Sequence, residues 1–204
     1  MAMLRSLRRD TRGATIVEFA IVAPVMILMM MGLGDLGYQV YAQAILNGAM
    51  QKAGRDSSIQ GGADDPAQTD GKVEAMVKNV AKNAIFSFSR KNYDSFSVIK
   101  PEPFVDDNNN GKKDATDGNG VLDKGECFTD INGNGQWDVD PGENGQGGAN
   151  DVTVYTATVT YPHLFPVASL FGWSPTQTIT ASTLLKNQPY ATQTTVTPAK
   201  VCIK

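Results

Sequence analysis

Hydropathy divides the chain into stretches of distinct character. From Ala14 to Gly34, in ATIVEFAIVAPVMILMMMGLG, almost every residue is apolar. As a helix this run is about 31 Å long at ~1.5 Å per residue, enough to cross a bilayer core. The helical period continues through YQVYAQAILNGAMQKAGR (38–55), where Val40, Ala44, Ile45 and Met50 recur at near-helical spacing. One helix from the membrane to about Arg55 is therefore predicted. Pro24 removes a backbone donor and predicts a kink, while Gly32, Gly34, Gly37 and Gly48 allow close helix approach.

Residues 56–71 are polar and rich in turn formers, with no apolar period. In KVEAMVKNVAKNAIFSF (72–88), Val73, Met76, Val77, Val80, Ala84 and Ile85 form one stripe, which predicts an amphipathic helix. SFSVIK (95–100) reads as a short strand. DVTVYTATVTYP (151–162) and QTITASTLLKN (177–187) alternate apolar residues with threonines and read as longer strands. HLFPVASLFGW (163–173) fits a short helix or an irregular apolar segment, and the chain from Gln188 reads as an exposed tail. The expected fold class is α+β. A long N-terminal transmembrane helix precedes a small domain with one amphipathic helix, about three antiparallel strands and an Asp/Asn/Gly-rich insert (102–151). The expected division is a basic leader (1–13), the extended helix (14–55) and an exported domain (56–204).

Charge orients this scheme. Arg5, Arg8, Arg9 and Arg12 precede the apolar run against one acid, Asp10, so the N-terminus is expected in the cytoplasm and the domain outside. Two competing readings stay open: a secretory signal cut near Gly34, and a single-pass anchor that is never cut. The net charge of −3 conceals an asymmetry, because residues 102–151 hold more than half of the 21 acids. No basic surface appears on the exported part, so no nucleic-acid partner is expected.

The insert also contains half of the 20 glycines and an internal repeat, EPFVDDNNNGKKD (102–114) against ECFTDINGNGQWD (126–138). In calcium loops, oxygen-bearing side chains fall at positions 1, 3, 5, 9 and 12, and glycine at 6 makes the sharp turn. Asp106, Asn108, Asn110, Gly111, Asp114 and Asp117 fill that template. A second unit offers Asp117, Asn119, Asp123 and Glu126, but Ala115 takes its first position. A third offers Asp130, Asn132, Asn134 and Asp138, and Pro141 falls where the last acid belongs. Weak calcium binding is expected, with a solvated Asn/Asp/Gly linker as the alternative.

Cys127 and Cys202 both lie in the part read as exported. One disulfide is expected there, with two free thiols as the alternative. His163 is the lone histidine and reads as structural. No nucleophile elbow, zinc motif, phosphate loop or dinucleotide fingerprint appears, so no enzyme is expected.

Glu18 is the only charge between Arg12 and Asp35. A carboxylate within hydrocarbon costs several kcal/mol, so it calls for a partner or a task. Gly13 behind an arginine-rich leader, with Glu18 five residues on and Phe19 following, resembles the processing site of type IV pilin-like proteins. The run RGATIVEFAIVAP, with GDLG at 34–37, more closely resembles the TadE-like family, minor pseudopilins of the bacterial tight adherence (Tad) pilus. The resemblance covers about residues 11–50. It implies a precursor in the inner membrane, cut by a prepilin peptidase between Gly13 and Ala14. Other Tad subunits, inner-membrane assembly proteins and the lipid bilayer are the implied partners. The implied role is pilus biogenesis and surface adhesion, with the domain periplasmic or extracellular. The alternative is a membrane-anchored calcium-binding adhesin or envelope protein that never enters a pilus.

Overall fold

The computed structural model describes residues 12–58, 65–105, 122, 124–165, 167–188 and 196–203. Helix α1 (Arg12–Ser57) is continuous through Pro24. Its N-terminal half is bare: Ile16, Phe19, Ile21, Met29, Met30 and Leu33 are all exposed. Its C-terminal half carries a buried stripe of Ala42, Leu46, Ala49, Met50 and Ala53. This stripe differs from the face read in the sequence, since Val40 is 71% exposed and Ala44 is exposed. Alanines decide the contact side, because their small side chains let the sheet come close to the helix axis.

Helix α2 (Pro66–Lys78) starts at an Asp65 cap whose carboxylate accepts from Gln68 N at 3.0 Å, with Pro66 in the first turn. It buries Thr69, Val73 and Val77. The helix expected over 72–88 ends ten residues early. Val80 N and Ala81 N both donate to Val77 O, and the chain then turns into strand β1 (Ile85–Tyr93). The helical stripe ran into the first strand residue by coincidence of spacing, and Ile85 is 73% exposed. The expected strand over 95–100 is instead a 3-10 turn at Phe96–Val98.

Short strands β2 (Phe104–Val105), β3 (Cys127–Asp130) and β4 (Glu143–Asn144) precede the long β5 (Val152–Pro162). A short helix α3 (Val167–Leu170), strand β6 (Thr176–Lys186) and strand β7 (Ala199–Cys202) complete the chain. Among the described residues the strands form two antiparallel sheets rather than one of three strands: β4-β1-β5-β6 and β2-β3-β7. The expected tail therefore ends in a paired strand.

In the larger sheet, Tyr155, Ala157, Val159 and Tyr161 of β5 point with Ile179, Ala181 and Leu185 of β6 toward α1 and α2. The opposite face is a ladder of hydroxyls, Thr156–Ser182, Thr158–Thr180 and Thr160–Thr178, left to solvent. One polar cluster ties α2 to this core. Arg90 donates to both Asp70 oxygens, at 3.0 and 2.5 Å, and lies over the Tyr155 ring at 4.0 Å. The Tyr155 hydroxyl also donates to Asp70. Burial first, then the hydrogen bond to Asp70 and its charge, push the Tyr155 phenol well above its ordinary pKa.

The sheet runs along α1 with a fixed polarity. Asp35 of α1 meets the Pro162 end of β5, while Gln146 Nε2 reaches Ser57 O at the far end. That span of helix is about 33 Å at ~1.5 Å per residue. The domain thus has an end beside the apolar half of α1 and an end remote from it.

Candidate functional site

Three regions carry the residues singled out by sequence. In the first, Gly13 and Ala14 lie in the opening turns of α1. Glu18 and Phe19 follow on its exposed N-terminal half, among Ile16, Val17 and Ile21. Glu18 is thus a lone carboxylate on an apolar cylinder. The helix is long and apolar enough to cross a membrane, and its most hydrophobic stretch is unburied within the chain.

The second region is the junction where the apolar half ends. Asp35 pairs through Oδ2 with His163 Nδ1, and its Oδ1 accepts from Leu164 N at 2.9 Å. Tyr38, one turn on, donates to Val80 O at 3.0 Å and meets Tyr161 edge-on at 5.6 Å. The only histidine thus clamps the β5–α3 connection onto the long helix. Sequence reasoning gave His163 a structural role and no partner; the two residues are far apart in sequence, and no local pattern links them.

The third region is the described part of the acidic insert, at the remote end. Of its expected ligands, Asp106, Asn108, Asn110, Asp114, Asp117, Asn119 and Asp123 lie outside the described residues. Glu126 is buried beside β3, and its carbonyl accepts from Ile203 N at 2.9 Å. Asp130, Asn132, Asn134 and Asp138 form one compact loop. Asp130 accepts from Gly133 N at 2.7 Å and Gly135 N at 2.8 Å, and the two glycines have φ of +74° and +76°. The Asn132 and Asn134 oxygens accept from Asn134 N and Gln136 N. Their amide nitrogens converge on Asp138 Oδ2, at 2.8 and 2.7 Å.

Glu102 holds this loop from behind, a role not foreseen. It is 1% exposed, and its two oxygens accept from Ile131 N at 2.7 Å and Asp138 N at 3.0 Å. Trp137 Nε1 donates to Glu102 O, and its ring meets Phe104 edge-on at 5.7 Å. The repeat itself offered the signal, because Glu102 and Glu126 occupy matched positions and both are buried. Its two halves pair with one another: Phe104 lies opposite Phe128 across β2 and β3. Cys127 and Cys202 are joined by a disulfide between register partners of β3 and β7.

Among the described residues, no three His, Cys, Asp or Glu side chains converge as a metal cage. Beside the loop, Asp140 accepts from Lys91 at 2.6 Å and from Tyr93. Partial burial opposes its ionisation, but these donors and Gly142 N hold its carboxyl below the usual carboxylate value. Asp94 is shifted the other way, by burial and by the charges of Asp151 and Glu143.

This geometry defines a class: an α+β domain built onto the far half of one long helix whose near half is bare and apolar, as in a membrane-anchored protein. Residues 13–55 match the family model described as TadE-like protein, the family that the run RGATIVEFAIVAP resembles. The match covers nearly all of α1 and stops before the rest of the domain. No curated protein and no solved structure matches the chain.

Proposed function

We propose that this chain is a TadE-like minor pseudopilin: a single-pass inner-membrane precursor that takes part in Tad pilus biogenesis and adhesion. In this reading a prepilin peptidase cuts between Gly13 and Ala14, leaving the α1 amine in the membrane and the domain on the non-cytoplasmic side. The observation that carries it is Glu18, alone on the exposed apolar half of a helix that matches the family model. A carboxylate in hydrocarbon is stabilised by a cation, and the freed Ala14 amine of a neighbouring chain supplies one. The pair fixes the axial register between helices, and other Tad subunits and assembly proteins are the neighbours it needs. The role is assembly rather than catalysis.

The test is Glu18→Ala in the native host. Insertion into the membrane fraction is expected to be unchanged, because removing a charge favours partitioning, while pilus yield falls roughly tenfold or more. Normal piliation and adhesion would favour the alternative, an anchored adhesin that never enters a filament.

We further propose that the insert binds calcium weakly, at about 10⁻⁴–10⁻³ M. The supporting observation is that Asp130, Asn132, Asn134 and Asp138 already share one loop, with two amides gathered on Asp138. A cation at that point would draw the amide oxygens inward in place of their nitrogens. Calorimetric titration of the full chain in detergent should register binding, and Asp130→Ala should weaken it by about tenfold or more. Absence of heat in the unaltered chain returns the region to a solvated linker.

A further inference from the structure

The connection between β5 and β6 lies beside the point where α1 leaves its apolar half. Its base is closed by His163 N donating to Pro175 O at 3.2 Å. Asp35 clamps its first two residues, and the Phe165 ring packs against Gly34, where an added Cβ would lie 3.0 Å from the ring. Beyond this clamp the loop turns its bulk away from the domain. Leu170 is 73% and Trp173 71% exposed, and Leu164 and Phe171 are more than half exposed. They are not spread at random. Trp173 N closes a turn onto Ala168 O at 3.0 Å, which brings the Trp173 and Phe171 rings to 5.7 Å. No residue from Leu164 to Pro175 carries a charge.

Asp35 sets the depth of this loop. Its carboxylate is hydrogen-bonded and ends the apolar run, so it marks the level at which α1 leaves hydrocarbon. The apolar loop is tied to that same level, and Lys82 is exposed beside His163 and Leu164. Paired aromatic rings without charge, beside a cation and at the end of a span, match what a headgroup layer accommodates.

We propose that Leu164, Leu170, Phe171 and Trp173 form an interfacial anchor that lies in the headgroup–acyl boundary of the bilayer that α1 crosses. The domain is then seated on the membrane by two contacts rather than tethered by one helix. The loop of Asp130–Asp138 is held at the remote end, about 33 Å away along α1. This inference rests on the membrane-spanning reading of α1. A neighbouring subunit is the competing occupant of the same face.

The experiment uses the full chain in phosphatidylethanolamine–phosphatidylglycerol vesicles, with lipids brominated near the headgroup as tryptophan quenchers. Trp137 lies in the remote end and serves as an internal reference. In the unaltered chain roughly half of the emission should be lost to brominated lipid, and in Trp173→Phe almost none. Flotation of both chains with the vesicles checks the anchor separately. A chain that floats but shows equal quenching with and without Trp173 overturns the interfacial loop alone. If Trp173 in that chain is shielded only at high protein density, the occupant is another subunit. Failure to float overturns both the anchor and the loop.

Discussion

Replacing Asp70 by alanine will destabilise the α+β domain by about 3–5 kcal/mol, the scale for removing one partner of a buried ion pair. The Arg90 side chain is only 9% exposed, and two of its N–H groups donate to the Asp70 carboxylate. Without Asp70, a guanidinium remains in the α2–sheet contact, and among the described residues only Pro66 O is left to accept from it, at 3.3 Å. The Tyr155 hydroxyl loses its acceptor in the same step. Asp70→Asn keeps an oxygen for Tyr155 but not the charge, so it should fall between alanine and the unaltered chain. The cluster also predicts an alkaline limit. Folding raises the Tyr155 pKa from 10.0, so its contribution is complete below about pH 10 and is lost as pH rises through the higher folded value. Urea denaturation of the full chain in detergent measures both effects. A loss under about 1 kcal/mol for Asp70→Ala would contradict the account of the cluster.

The second large effect concerns processing. Gly13→Leu is expected to leave the leader attached to essentially all of the protein. A peptidase that cuts behind glycine must approach the backbone closely, and a branched side chain at that residue excludes it. The uncut chain keeps its arginines, so it should still insert in the membrane with the same orientation. It lacks the Ala14 amine proposed to meet Glu18, so its pilus defect should equal that of Glu18→Ala, and the double variant should be no worse. Additive defects would mean that Gly13 and Glu18 act separately. Gel mobility in native membranes reads the first outcome, and pilus yield reads the second.

The parts of the fold legible in sequence are those whose pattern is local. The apolar run announces α1, and alternation in 151–162 and 177–187 gives β5 and β6 to within a residue or two. Strand β1 was hidden because Ala84 and Ile85 extend the stripe of α2 at helical spacing, while the alternation of FSFS begins only after them. The segment 95–100 alternates like a strand but finds no partner among the described residues, and folds into a 3-10 turn. Strands β2 and β7 are too short to show a period and exist through pairing with β3. At the candidate sites, Glu18 stands out in sequence because a charge is conspicuous among apolar residues. The clamp of Asp35 on His163, and Glu102 beneath the acidic loop, are long-range contacts between ordinary residues, visible only once the chain is folded.

The central claim is that the N-terminal segment is a pilin-like processing and assembly helix. N-terminal sequencing of the protein purified from its native membrane tests it most directly. The account predicts a mature chain that starts at Ala14, with Glu18 as its fifth residue. An intact Met1 would contradict it in favour of an uncut anchor, and a start beyond residue 30 would contradict it in favour of a cleaved secretory signal.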